Sequence, residues 1–125
     1  MSNFIFTKDQ LELIEALESG KYKQCTNKLY DPETGGFCCL GVACVINGVP
    51  ITNGYYRRSR IPQNLGASSK TRAVRDKLKL KSNMGATFNF STSLAGLNDS
   101  DYSFKFIAKR LRESPEEFFT NGAES

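Results

Sequence analysis

The sequence predicts one small α+β domain, mainly helical, with about five short helices and a small β-hairpin or sheet. A chain of 125 residues has the usual size of a single domain. Apolar residues recur at helical spacing in several segments, each preceded by a residue able to cap a helix. A turn-forming stretch, Asp31–Gly36, predicts the hairpin. We expect residues 1–125 to form one domain whose tail, from about residue 120, is frayed.

The first helix is predicted over residues 8–19. Thr7 and Gln10 fit a capping box, in which the hydroxyl accepts a backbone N–H of the first turn and the amide returns to the cap. From Leu11 onward an apolar residue returns every three positions, which is typical of a helix with one buried face. Gly20 suits the position just after the helix, where φ is positive.

A hairpin over about residues 27–37 follows, with Phe37 on its return strand. The next stretch, Cys38–Ile46, is nearly all apolar, and the dipeptide Asn47-Gly48 makes a good helix stop. This favours a helix that is hydrophobic on all sides and therefore central and buried. Within it, Val42→Ala is expected to cost more stability than any loop change, because it leaves a void in a packed interior.

Ser69 is predicted to cap a third helix, over about residues 70–80, whose outer face is basic. Its inward-facing residues are predicted to be Ala73, Val74 and Leu78. The stretch of residues 87–90 alternates polar and apolar side chains and predicts a short strand.

The C-terminal third predicts two further helices and a helix start. Ser93 or Thr92 caps a brief helix, and residues 98–101 form a turn in which Asn98 and Asp99 are expected to cap rather than to contact a ligand. Ser103 caps the helix with the strongest apolar stripe of the chain, made of Phe104, Ile107, Ala108 and Leu111. After it, Ser114-Pro115-Glu116-Glu117 has the residues that begin a helix.

Positive charge is concentrated in the middle of the chain. The net charge is +4, but residues 57–81 hold nine basic side chains and one acid, and the two flanking parts carry −2 each. Such asymmetry attracts an acidic partner.

A binding patch is predicted within this basic segment. Arginines bring charge and paired donors and tyrosines bring flat faces for stacking, a combination that suits a phosphate, a nucleobase or an acidic protein surface. The alternative is a solvated loop with a buried tyrosine. The predicted binding residues are Tyr55, Tyr56, Arg57, Arg58 and Arg60, joined by Arg72 and Arg75 of the third helix.

Several classes of catalytic site are excluded by composition. The chain has no histidine, which excludes Ser-His-Asp and Cys-His catalysis and zinc sites with histidine ligands. Cys38 and Cys39 are adjacent and Cys44 lies in an apolar run, so we expect no metal site. The sequence has no glycine-rich phosphate loop, and no cofactor is predicted.

Cys38 and Cys39 nevertheless allow a hypothesis of cysteine catalysis. They stand at the predicted N-terminus of the buried helix, where free N–H groups stabilise a thiolate and lower its pKa. The favoured alternative is that both are small core residues, because free cysteine is among the most buried residue types.

No apolar run approaches the ~20 residues that span a bilayer. The N-terminal residues lack the basic stretch of a signal peptide. We therefore expect a cytoplasmic protein with reduced thiols and no membrane contact.

Separate blocks of the sequence, spread over about residues 10–112, follow one another in a recognisable order: Gly20–Gln24, Phe37–Val42 with Cys44, Ile61–Gly66, Leu97-Asn98-Asp99 and Ser103–Ala108. In these blocks the chain resembles a family of small bacteriophage and prophage proteins. The family often has tryptophan in the first helix and a glycine between the Asn-Asp and Ser-Phe pairs, and this chain has neither. The resemblance implies a phage-encoded protein that acts in the host cytoplasm, and it implies no mechanism.

Three functions are expected, in this order. The first is a non-catalytic phage accessory protein that binds and inhibits a host protein or sequesters a small anionic ligand. The second is a cysteine-dependent enzyme using Cys38 or Cys39. The third is a nucleic-acid-binding protein acting through the basic residues 55–81.

Overall fold

Five α-helices and a two-stranded antiparallel sheet make up the part of the chain that the structure, a computed structural model, describes. That part comprises residues 4–26, 28–49, 51, 65–66, 68–85, 93–100 and 102–122. In chain order the elements are α1 (Lys8–Glu18), β1 (Tyr30–Asp31), β2 (Gly36–Phe37), α2 (Cys39–Ile46), α3 (Ser69–Leu78), α4 (Leu94–Asp99) and α5 (Phe104–Glu113). A short 3-10 helix, Pro115–Glu117, follows α5. The predicted α+β fold, mainly helical, is confirmed.

Helix α1 is bounded by the signals that predicted it. The Thr7 hydroxyl accepts the N–H of Gln10 at 3.1 Å, and the Gln10 side chain accepts the N–H of Thr7 at 2.9 Å. Gly20 has a φ of +77° just beyond the helix. The same Gln10 amide also donates to the carbonyls of Leu78 and Asn121, at 3.0 and 2.9 Å, and so ties α1 to the end of α3 and to the C-terminal segment.

The hairpin pairs Tyr30 with Phe37 and Asp31 with Gly36. Phe37 has a second backbone partner, because its N–H donates to Lys23 and its carbonyl accepts from Cys25, at 2.7 and 2.8 Å. The return strand thus lies between the outgoing strand and the segment that follows α1. The predicted short strand at residues 87–90 lies outside the described residues.

Helix α2 is the centre of the core, as its composition predicted. Cys39 to Cys44 are buried, and α2 contacts α1, α3 and α4. Gly41 permits a close approach here: a Cβ at this position would lie 1.9 Å from the carbonyl oxygen of Leu29. Any larger residue would push α2 off the chain segment that leads into the hairpin.

Helix α3 begins one residue earlier than predicted, and one of its buried positions differs. Ser68, not Ser69, is the cap: its hydroxyl accepts the N–H of Thr71 at 3.2 Å, and the Thr71 hydroxyl accepts the N–H of Ser68. Thr71 is buried and Ala73 is exposed, so the prediction that Ala73 faces inward is wrong. The Thr71 hydroxyl also donates to the carbonyl of Leu65 at 2.9 Å, which satisfies it in the interior.

Helix α4 extends through residues that were predicted to form a turn. Ser93 is its cap, and Asn98 and Asp99 form its last turn. Ser103 caps α5, and the four residues of the predicted stripe are all buried. After α5 the chain returns to α3, where Phe118 and Phe119 are buried.

The C-terminal segment is attached to the end of α3 by backbone hydrogen bonds. Lys81 N–H donates to the carbonyl of Phe118 at 2.9 Å, and Thr120 N–H donates to that of Lys79 at 2.7 Å. Of the predicted frayed tail, residues 120–122 are described and hydrogen bonded to the body of the protein. Residues 123–125 lie outside the described part. No described helix is long and apolar enough to cross a membrane.

Candidate functional site

Two of the seven predicted binding residues, Arg72 and Arg75, can be placed in the structure, and both lie on α3. The other five, Tyr55, Tyr56, Arg57, Arg58 and Arg60, lie outside the described residues. The predicted patch can therefore be described only at α3 and at the residues that contact Arg72 and Arg75.

The basic residues of α3 are divided between two flanks of the helix. Arg72 and Arg75 are three residues apart and share one flank, whereas Lys70 and Lys77, seven residues apart, share the other. The face between these flanks carries Asp76 and the exposed Ala73. The sequence predicted a single basic face on this helix, and the structure has two separate basic edges instead.

Arg72 and Arg75 are held differently. Arg75 is engaged within the fold, since its guanidinium contacts the Asp76 carboxylate at 3.0 Å and donates to the side chain of Asn83 at 2.8 Å. Arg72 is exposed and donates to the carbonyl of Gly66 at 3.2 Å. A carbonyl carries no full negative charge and no described carboxylate pairs with Arg72, so Arg72 is the better candidate for an external anion.

On the other flank, Lys77 lies 3.7 Å from the carboxylate of Asp9 on α1. Lys79, just after the helix, adopts a left-handed backbone with a φ of +59° and donates its ammonium to the carbonyl of Gly122 at 3.1 Å. These two lysines tie α3 to α1 and to the C-terminal segment. Part of the basic charge counted in the sequence is therefore used inside the fold.

The cysteines are core and capping residues. Cys38 is the cap of α2, and its sulfur accepts the N–H of Gly41 at 3.3 Å. Cys39 donates its thiol proton to the carbonyl of Leu94 at 3.3 Å. Cys44 is completely buried.

Burial governs the reactivity of these thiols. It raises the pKa of Cys38 well above its usual value and raises the pKa of Cys39 and of Cys44 to about 12. Burial, followed by the charge of Asp31, raises the pKa of the half-buried Cys25 to about 11. The N–H groups at the start of α2 lower the pKa of Cys38, but burial has the larger effect. This chemistry opposes a thiolate nucleophile near neutral pH.

Asn98 is the buried polar residue whose role sequence reasoning missed. Its side-chain oxygen accepts the N–H of Cys39 at 3.2 Å and the amide of Gln24 at 2.9 Å, while its own amide donates to the carbonyl of Cys25 at 2.7 Å. Asn98 does cap a helix, but the helix is α2, 59 positions away in the sequence. No local signal could have found this arrangement.

An open surface depression of about 370 Å³ lies elsewhere, beside the end of α1. Its lining includes the carboxylates of Glu12 and Glu15, and of the two predicted binding residues that the structure describes it includes neither Arg72 nor Arg75. Within the described part of the chain, no group of three histidine, cysteine, aspartate or glutamate side chains is arranged to hold a metal ion.

Comparison with known proteins gives one partial match. A family model described as a domain of unknown function (DUF8296) matches residues 7–50, which contain α1, the hairpin and α2. Searches of the curated proteins and of the solved structures found no match.

Proposed function

We propose that this protein is a small non-catalytic binding protein. The flank of α3 that carries Arg72 and Arg75, here called the arginine edge, binds an acidic surface of a partner protein. The observation that carries the proposal is the state of Arg72, which is exposed, has no carboxylate partner among the described residues and donates to the carbonyl of Gly66. An exposed guanidinium with no carboxylate partner in the described part of the chain can pair with a carboxylate of another protein. Gly66 follows the predicted Tyr55–Arg60 cluster by six positions in the sequence, and we propose that this cluster extends the same patch.

The shape of the surface favours a protein over a small anion. Arg72 stands on the exposed side of a helix, which is convex, whereas small ligands bind in concave pockets that bury most of their surface. In keeping with the resemblance to bacteriophage proteins, the partner we propose is a host bacterial protein, bound and inhibited in the host cytoplasm.

The test is affinity capture from a lysate of susceptible bacteria with the full chain, followed by mass spectrometry and titration of the captured protein. Arg72→Glu, and separately Arg57→Glu combined with Arg58→Glu, are expected to weaken its binding by about tenfold or more. Lys8→Glu is the matched control, because Lys8 is an exposed lysine in the first turn of α1. Unchanged thermal midpoints would show that the variants fold.

Three outcomes would overturn this proposal. Capture unaffected by the arginine variants would show that the edge is not the interface. Nucleic acid that is retained and then lost steeply with salt would favour the nucleic-acid function instead. Rapid alkylation of a buried cysteine in the folded protein would favour cysteine catalysis over a non-catalytic function.

A further inference from the structure

A second surface of the molecule carries an exposed aromatic pair. Tyr102 and Phe106 lie at the start of α5 with ring centroids 4.6 Å apart and planes inclined by 20°. Tyr102 is 43% exposed and Phe106 is partly buried. The buried residues of α5 lie on the opposite side of the helix, so this pair does not fill the core.

The backbone beneath the ring pair is fixed at several points. Tyr102 N–H donates to the carbonyl of Leu97 at 3.2 Å, and the Tyr102 carbonyl accepts from the Gln24 side chain at 2.7 Å. The next residue, Ser103, caps α5 by accepting the N–H of Phe106 at 3.1 Å. The rings are therefore presented from an ordered base, which lowers the entropy cost of binding a partner.

Two lysines flank the rings. Lys105 and Lys109 are exposed and stand one helical turn apart, next to Phe106 on the outer side of α5. Neither forms an ion pair within the described part of the chain, whereas the two arginines further along α5 both pair with glutamates. Within the described residues, two ammonium groups thus stand beside an apolar surface without an ion-pair partner.

We propose that Tyr102, Lys105, Phe106 and Lys109, here called the aromatic–basic surface, bind an acidic peptide segment of a partner protein. An apolar side chain of that segment would pack on the exposed ring of Tyr102, and its carboxylates would pair with the two lysines. A peptide is favoured over a nucleic-acid strand because the surface offers two lysines and then the exposed carboxylate of Glu113, one turn beyond Lys109. A short segment that ends at Lys109 avoids this carboxylate, whereas a nucleic-acid strand carries a phosphate at every nucleotide and binds in a basic groove that follows its backbone.

This surface is separate from the arginine edge of α3, so the inference does not rest on the proposed function. Helix α1 lies between α3 and α5: it pairs with α3 through Asp9 and with α5 through Glu18. These two acids are nine residues apart, which places them on opposite flanks of α1.

The test is a selection of randomised twelve-residue peptides, displayed as a library, against the full chain. We expect enrichment of peptides that combine aspartate or glutamate with an aromatic or large aliphatic residue. Binding of a synthetic copy of the most enriched peptide, followed by fluorescence anisotropy, is expected to fall at least tenfold for Lys105→Glu combined with Lys109→Glu, and likewise for Tyr102→Ala. Lys8→Glu and Arg72→Glu are expected to leave it unchanged, and thermal melts confirm that each variant folds.

The inference is overturned if the selection enriches no peptide or enriches basic peptides. It is also overturned if the selected peptide binds the Lys105→Glu, Lys109→Glu variant as tightly as the wild type. Binding lost with Arg72→Glu alone would assign the peptide to the α3 edge, which keeps the proposed function and removes this surface. A twelve-nucleotide oligothymidylate that binds more tightly than the selected peptide would replace the peptide with a single-stranded nucleic acid.

Discussion

Replacing Asn98 by alanine removes three hydrogen bonds at once and is expected to lower the free energy of unfolding by about 4 kcal/mol. The side chain is fully buried and bonds to Gln24, Cys25 and Cys39. The Cys39 N–H bond is buried, so its loss leaves an unsatisfied donor that costs about 2 kcal/mol. The other two bonds are partly buried, where water can enter, and each contributes about 1 kcal/mol.

Urea unfolding followed by far-ultraviolet circular dichroism measures this loss. With a slope of about 1.5 kcal/mol per molar urea, the midpoint is expected to fall by roughly 2–3 M. Asn47→Ala is the matched control, because the Asn47 amide makes one partly buried bond, to the carbonyl of Ala43 at 2.7 Å. The control is expected to lose about 1 kcal/mol. An Asn98→Ala loss no larger than that of the control would refute the reasoning.

Asn98→Asp separates the donor from the acceptor role of the same side chain. A carboxylate can still accept from Cys39 and Gln24, but it cannot donate to the carbonyl of Cys25. Burial raises the pKa of an introduced acid, and the protonated form restores the donor. The loss relative to the wild type is therefore expected to be larger at pH 7 than at pH 4, and equal losses at the two pH values would contradict this account.

Three further predictions concern the core, the thiols and the response to acid. Val42→Ala should lower the free energy of unfolding by about 2 kcal/mol in the same urea assay, because Val42 is fully buried in α2. Alkylation by iodoacetamide at pH 7.5, followed by mass spectrometry, should be slow for all four thiols and fastest for the half-buried Cys25, given the raised pKa values. The Arg112 guanidinium lowers the pKa of Glu18, so the stability from this pair is present above the ordinary pKa of 4.5 and lost as the pH falls through the lower folded value. Arg112→Met should therefore be slightly less stable than the wild type at pH 6, and the difference should vanish near pH 2.

Local chemistry explains why most of the helices could be predicted. The bonds between Thr7 and Gln10, and the bond of the Ser103 hydroxyl to Phe106, join groups three residues apart. Such bonds are visible as sequence patterns. The error at α3 has the same origin, because Ser68 and Ser69 are both able to cap, and only the choice of Ser68 places Thr71 where it closes the capping box and points inward.

The candidate site could be predicted only in part, because charges in a fold are cancelled by partners that are distant in the sequence. Lys77 pairs with Asp9 of α1, and Arg112 pairs with Glu18 across 94 positions. A count of basic residues along the chain therefore overstates the charge that a surface offers. Among the described cations that form none of these pairs are Arg72 on one side of α1 and Lys105 and Lys109 on the other. Charge reversal at these two places, each with the other as its control, tests the two proposed interfaces separately, which the net charge of +4 does not distinguish.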